Sequence, residues 1–384
     1  MERKCQVLLA TAAFLLVLLV LLGDGKALEW RPPLLSSSKW GAAAVGYADT
    51  WSDAMLYTPA GNAHDAWKLI PRSQIAPLTA ETQTFLTAHQ FPQAGCMNAR
   101  FLISRSVESG IGSNLHTATF HLSTAIELGR IFLWSDDAGI LYTDKKYCPL
   151  ARNFECFFQA PSSCTLEDAL RTGADTVVVE GGSEHLGFST GHVPAILRGM
   201  WAEYVVLSPR PKELKYWWRA QAVAFLARFN GATINTLYKL RTNISAIKYS
   251  PPGAGKEMAS AFPFTRGTTS MHIRHGDKGR EMMLVADEAY FAAAEELVLM
   301  NPMGLARAAF ISTEDPATIA VASQGRSDWA MMWYDLPRIN SNGLDQLTRL
   351  PHAKGFLMHA WLLQLLMALE CDAWVGTRGS NWNR

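Results

Sequence analysis

His272, Arg274, His275, Asp277 and Lys278 place five chargeable side chains within seven positions, and Arg280 and Glu281 follow directly. The cluster leaves an apolar strand pattern over 268–273. Alternate residues of a strand point the same way, so His272 and Arg274 share a face. Two or three cations gathered there suit a diphosphate, which an arginine grips through two parallel N–H donors. A solvated charged loop is the plainer account of the same residues, because loops are where charges ordinarily sit.

A second strand-to-loop passage, Val375-Gly-Thr-Arg-Gly-Ser-Asn381, is small and polar, so its backbone N–H groups could approach a phosphate; an ordinary turn is the alternative. A third, Gly110-Ile-Gly-Ser-Asn-Leu-His116, opens a helix. It resembles the start of a dinucleotide fingerprint, but Leu115 holds the sixth position and no clear strand precedes it. Pro252-Gly-Ala-Gly-Lys256 fails as a phosphate loop, since Ser250 stands for its first glycine and Glu257 for its Ser/Thr. Gly187-Phe-Ser189-Thr-Gly191 fits the spacing of a hydrolase nucleophile elbow, but the strand and helix that should flank it are missing. No D-x-D and no H-E-x-x-H occurs, which argues against a paired-carboxylate manganese site and the common zinc protease.

Elements must hold these groups in place. Apolar periodicity predicts strands over 130–134, 175–180, 268–273, 308–313 and 373–375, and helices over 110–129, 216–229, 287–300, 316–323 and 354–369. Trp217-Trp218 reads as helix packing rather than as an aromatic platform. Alternating strands and helices imply a parallel doubly wound sheet, with ligands beyond the C-terminal ends of its strands. The Pro- and Gly-bearing stretch 250–269 is the expected domain linker. The chain stops directly after a strand and turn, where a helix would normally follow, so a fragment is expected.

Of 384 residues, 49% are hydrophobic and 18% charged, which excludes an intrinsically disordered chain. With 35 basic and 34 acidic side chains the net charge is +1, which argues against a nucleic-acid partner held by a global basic field. Arg3 and Lys4 precede an uncharged run over 5–23, longer than the ~7–15 of a cleavable signal core and close to the ~20 that cross a bilayer. The expectation is a cytosolic tail (1–4) and a signal-anchor helix (5–23), or a signal cleaved after Ala27; either leads to the secretory pathway. Residues 24–95 read as a stem and the start of the globular part, 96–250 as an N-terminal α/β domain, and 251–384 as a Rossmann-like domain. Cys96, Cys148, Cys156, Cys164 and Cys371 then lie in an oxidising lumen, and the three spaced by eight should include one local disulfide. Asn243-Ile-Ser245 is a glycosylation sequon.

In order, these segments resemble the α-1,6-fucosyltransferase family, Golgi enzymes that transfer fucose from GDP-fucose. The family's donor motif, His-Val-Arg-Arg-x-Asp-Lys, is similar to His272-Ile-Arg274-His275-Gly-Asp277-Lys278. Its glycine segment resembles Gly110-Ile-Gly112, its cysteine loop Phe157–Thr165, its tryptophan pair Trp217-Trp218, its Thr-Asp-Asp-Pro the segment Thr313-Glu-Asp-Pro316, and its final Ser-Ser-Gln the segment Gly379-Ser380-Asn381. The resemblance spans roughly 96–384. It departs at His275, which replaces the second Arg; at Glu281, three rather than four positions beyond Lys278; and at Gln364, which replaces an Asp near the nucleotide. The family's N-terminal coiled coil and C-terminal SH3-like domain have no counterpart.

The resemblance implies a GT-B-like α/β enzyme with an N-terminal acceptor domain and a C-terminal Rossmann-like donor domain, anchored as a single-pass type II protein with its catalytic part in the Golgi lumen. It implies transfer from GDP-fucose to a glycan or glycoprotein acceptor, α-1,6 to the N-glycan core, by an inverting displacement without metal or other cofactor. Arg274 would bind the diphosphate, with His272, His275, Gly110, Gly112, Gln364, Ser380 and Asn381 on the donor. Asp277, Lys278 and Glu281 would form the acceptor-side relay, with Glu281 as general base. The alternatives are transfer to a peptide hydroxyl or another glycan, and a luminal carbohydrate-binding protein without turnover.

Overall fold

A computed structural model of the protein describes residues 54–57, 69–71 and 76–380, less 137–141, 144–147, 150–152, 173–174, 183, 190, 205–210, 253, 327 and 378–379. The expected anchor and Asn381 lie outside the described residues, and no helix among the described residues is long and apolar enough to cross a membrane.

Strands β1 (Ala54–Tyr57) and β2 (Leu69–Pro71) pair antiparallel. Helix α1 (Pro77–Gln90) begins on a proline, whose missing N–H costs nothing in the first turn. Strand β3 (Phe101–Ser104), helix α2 (Ile111–Glu127) and strand β4 (Ile131–Trp134) follow. After them come α3 (Leu166–Thr172), β5 (Thr176–Val179), α4 (Ala195–Tyr204), α5 (Pro211–Leu226) and α6 (Gly231–Thr242). The N-terminal sheet has the order β4-β3-β5 and is parallel throughout. Its β3 strand is the one the sequence hides. Phe-Leu-Ile-Ser is four residues long between Arg100 and Arg105, too short for period-two reading, and every residue is buried. At the far edge, Gln90 extends the sheet with its side chain: its amide donates to the Phe132 carbonyl and accepts the Phe132 N–H, both at 3.0 Å.

The second sheet contains β6 (Ile247–Ser250), β7 (Thr269–Ile273), β8 (Ala308–Thr313), β9 (Ala330–Tyr334) and β10 (Ala373–Gly376) in the order β10-β7-β8-β9-β6. All pairs are parallel except β6 with β9. Its helices are α7 (Ala254–Ser260), α8 (Asp287–Met300), α9 (Pro316–Gln324), α10 (Gly343–Arg349) and α11 (Lys354–Leu369). Alternation along the strands divides the core. Met271, Ile273, Ile311, Met331 and Trp333 pack with Tyr290 and Phe291 of α8, while Phe310, Met332 and Tyr334 join Leu357 and Leu363 of α11. Strands β7, β8 and β10 and helices α8, α9 and α11 fall within a residue of their predicted bounds. The expected linker contains structure instead: α7 packs on β6 and β9, and β6 joins this sheet from before residue 251. Two successive α/β sheets, parallel apart from the β6–β9 pair, match the expected α/β class.

Arg241 of α6 is buried against Glu370, at the end of α11, through two hydrogen bonds of 2.8 and 2.6 Å. Its guanidinium lies between the Phe262 and Phe264 rings, 4.4 and 4.5 Å from their centroids. Disulfides join Cys96 to Cys164 and, locally, Cys148 to Cys156; Cys371 is a buried free thiol.

Candidate functional site

The chain runs from β7 outward through β8 and β9 and then returns to place β10 on β7's other flank. The strand order therefore reverses at β7, and the crevice beyond the C-terminal ends of β7 and β10 is where such sheets bind ligands. The charged cluster leaves β7 at this point. Gly376 of β10 is the register partner of His272, so Thr377, directly after β10, stands beside the end of β7 where the charged loop begins.

Arg274 is held from two sides. Nη1 donates to Glu314, which follows β8, and Nη2 donates to Asp277 of its own loop. Nη1 also approaches the His275 carbonyl at 3.4 Å, while the Nε–H has no partner among the described residues. Only 14% of the side chain is exposed, so its orientation is fixed before any ligand arrives. The backbone after it turns through Gly276 at φ +46°, a conformation that disfavours a side chain. A Cβ there would lie 2.5 Å from Arg274 Nη1, 2.9 Å from Glu314 Oε1 and 3.0 Å from the Ser341 carbonyl. The Gly276 N–H donates to Asn340 Oδ1 at 2.8 Å, which ties the loop to the segment after β9.

Gly276–Arg280 then forms a 3₁₀ turn, in which residues three apart eclipse one another. That period brings Lys278 Nζ to 2.5 Å from Glu281 Oε2, so the spacing of three still pairs these residues. Glu281 is 59% exposed and open to solvent.

The two histidines of the cluster differ. His272 faces its register partner Ser312, with Nδ1 2.9 Å from the hydroxyl. Burial, with the Arg274 charge adding, holds the imidazole down at about 3, so His272 is neutral. Without ligand, the Arg274 face therefore carries a neutral ring beside the guanidinium rather than a second cation. For His275, burial acts downward but is outweighed by hydrogen bonds to Asp315 and the Val285 carbonyl and by the Asp287 and Asp315 charges, which raise it.

Of the remaining expected residues, Gly110 is the N-cap of α2 beyond β3, with Gly112 in the first turn, so both belong to the N-terminal sheet. That segment does follow a strand, contrary to its reading as a strandless turn. Gln364 is buried within α11, with its Nε2 3.5 Å from the Ala360 carbonyl and no hydrogen-bond partner for its Oε1 among the described residues. Ser380 is buried after β10. Between β5 and α4 the Ser189 segment is a loop preceded by a 3₁₀ turn at Glu184–Leu186, which is no nucleophile elbow.

Sequence reasoning gave no role to Glu314, Asp315, Asp287 or Asn340. The available signal was the acid pair Glu314-Asp315 between a buried strand and Pro316. Asp315 caps α9, accepting the Ala317 N–H at 2.9 Å, and leaves Glu314 turned to Arg274.

No protein-family profile matches the chain, and no curated protein matches it. Solved structures similar to it include NodZ alpha-1,6-fucosyltransferase co-crystallized with GDP, at 15% identity over 75% of this chain and 91% of that one, TM-score 0.38. The same enzyme soaked with GDP-fucose matches at 13% identity over 74% and 90%, TM-score 0.38. The selenomethionine form of fucosyltransferase NodZ from Bradyrhizobium matches at 14% identity over 75% and 91%, TM-score 0.36. At these scores the likeness carries no argument, and the chemistry rests on the residues described above.

Proposed function

We propose that this chain is a glycosyltransferase that uses a nucleoside-diphosphate sugar, with GDP-fucose as donor and a glycan or glycoprotein as acceptor. The observation that supports it is the Arg274 guanidinium clamped by Glu314 and Asp277 at the sheet's reversal point, next to the end of β10. Its Nε–H, without a partner among the described residues, is oriented by the two carboxylates on Nη1 and Nη2, so a diphosphate meets a donor already in place. The second sheet is the donor domain and the first, with Gly110 and Gly112, the acceptor domain. The finer assignment, α-1,6 linkage to the N-glycan core in the Golgi lumen behind an anchor at 5–23, follows the family resemblance.

In the reaction an acceptor hydroxyl attacks the anomeric carbon on the face opposite GDP. Its proton passes to one carboxylate, that of Glu281, with Asp277 as the alternative base. The new C–O bond forms as the bond from the anomeric carbon to the β-phosphate oxygen breaks. The electron pair leaves with GDP, where Arg274 offsets the added charge, and the configuration inverts. Arg274 and Lys278 supply the positive charge that a metal ion supplies elsewhere, so activity survives EDTA; loss restored by Mn²⁺ overturns the metal-free reading.

Measuring GDP release from GDP-fucose, with and without N-glycan acceptors, tests the whole assignment. Acceptor-dependent release supports it. Release with peptide acceptors alone moves the acceptor to a peptide hydroxyl. Glycan binding without any release identifies a carbohydrate-binding protein instead.

A further inference from the structure

His275 sits where three segments meet. Its Nδ1 is 2.8 Å from Asp315 Oδ2, and its Nε2 is 2.9 Å from the Val285 carbonyl and 3.4 Å from Asp287 Oδ1. Its backbone N–H donates to Glu314 at 2.8 Å. Carbonyl and carboxylate oxygens only accept, so this ring is fully satisfied only when both nitrogens carry protons. A neutral imidazole would turn one lone pair toward an acceptor. The acidic partners are fixed independently: Asp315 caps α9, and Asp287, in the first turn of α8, accepts the Thr318 hydroxyl at 3.1 Å.

We propose that His275 is the positioning residue of the donor loop and acts as the imidazolium, holding residues 274–281 in the arrangement that binds a nucleoside diphosphate, so that affinity for GDP falls as pH rises. The proposal rests on the donor-site reading above. The charged groups around the ring divide into two sets. Arg274 is taken up by Asp277 and Glu314, one cation between two carboxylates, and has no ion pair with Asp315 or Asp287. Asp315 and Asp287, with Glu288 beside the latter, are left with His275 as their counter-ion. Loss of its proton leaves two carboxylates facing one another beneath the loop. Burial and the Asp315 and Glu288 charges already raise the Asp287 pKa, opposed by Thr318 and by His275 itself.

The sign follows from the raised imidazole. A His whose folded value lies above the ordinary 6.5 contributes its anchoring fully below 6.5 and loses it as pH climbs through the raised value. Ionisation of the ligand runs the other way: a terminal phosphate gains charge as pH rises past ~6, which strengthens binding to Arg274.

The experiment measures GDP affinity by calorimetry on the whole chain from pH 6 to 9. In parallel, hydrogen-exchange protection of 274–281, corrected for intrinsic exchange, is followed without GDP. Affinity should weaken about tenfold from the acid to the alkaline plateau, the size of one charge-assisted hydrogen bond, and protection should fall with the same midpoint. Asp287→Asn keeps the shape but removes one charge that holds the proton, so it moves the midpoint to lower pH. His275→Gln binds weakly at every pH with a flat profile.

An unchanged affinity and protection across the range, a midpoint unmoved by Asp287→Asn, or a wild-type profile in His275→Gln each overturns the proposal. Should His275→Gln not fold, the Asp287→Asn midpoint decides alone. Protection that falls with pH and shifts in Asp287→Asn while GDP binds at no pH leaves the anchor standing and removes the donor reading.

Discussion

Arg274 owes its role to what surrounds it. An isolated surface arginine samples many rotamers, whereas Glu314 and Asp277 hold this one through both terminal nitrogens. Under the proposed function, Arg274→Ala removes the diphosphate contact, and it leaves two partly buried carboxylates without their shared cation. A charged hydrogen bond contributes about 1.5–3 kcal/mol, so GDP affinity should fall by roughly ten- to hundredfold, with kcat lowered as well because the leaving group gains charge. Calorimetry and steady-state kinetics check both. Glu281 presents the opposite case. It is 59% exposed, and an exposed ion pair with Lys278 contributes little to stability, so Glu281→Gln should leave the melting temperature and GDP affinity unchanged. Under the proposed function, with Glu281 as general base, the same substitution should lower turnover by ~10²–10⁴. If Glu281→Gln turns over normally and Asp277→Asn does not, the base is Asp277.

At the scale of elements, the loop after β7 is a short 3₁₀ turn pinned at both ends. Gly276 opens it under the Arg274 clamp, and Lys278 and Glu281 close it one turn later. A 3₁₀ turn repeats every three residues, and that repeat is what pairs Lys278 with Glu281. Gly276→Ala tests the clamp without touching a charged group. The added methyl must adopt φ +46° and displace Arg274 Nη1, Glu314 or the backbone at Ser341. GDP affinity should drop by an order of magnitude or more while far-UV circular dichroism stays unchanged, because α8 and β7 are formed independently of this turn. Unaltered GDP affinity in Gly276→Ala would mean that the Arg274 geometry is not what binds the diphosphate.

Across the molecule, the two sheets share one continuous apolar cluster, and the Arg241–Glu370 pair is sealed where α6 meets α11. Glu370 also accepts the Phe264 N–H at 3.0 Å, so the pair fixes the chain's entry into β7. Removing one partner strands a charge with no access to water: Arg241→Ala should cost about 3–5 kcal/mol in urea unfolding. Replacing both residues with apolar side chains of similar volume should recover much of that loss. A small effect in Arg241→Ala would show that water reaches Glu370.

The sequence by itself determined the local terms. Helices α8 and α11 and strands β7, β8 and β10 were legible because apolar periodicity, Pro316 and the run of buried aliphatics act over a few residues. The density of charge after β7 marked the candidate site for the same reason. What only the tertiary structure decided is which groups oppose that charge. Glu314 lies 40 residues from Arg274 in the chain, and the parallel pairing of β7 with β8 makes them neighbours. Strand β3 escaped notice because four buried residues carry no period, and its identity comes from pairing with β4 and β5. The histidines show the limit most directly. His272 and His275 are three positions apart and alike as sequence, yet one is neutral in a desolvated strand and the other is held between two carboxylates. Charge state depends on burial and on nearby charges, and both are set by residues that sequence distance does not reveal.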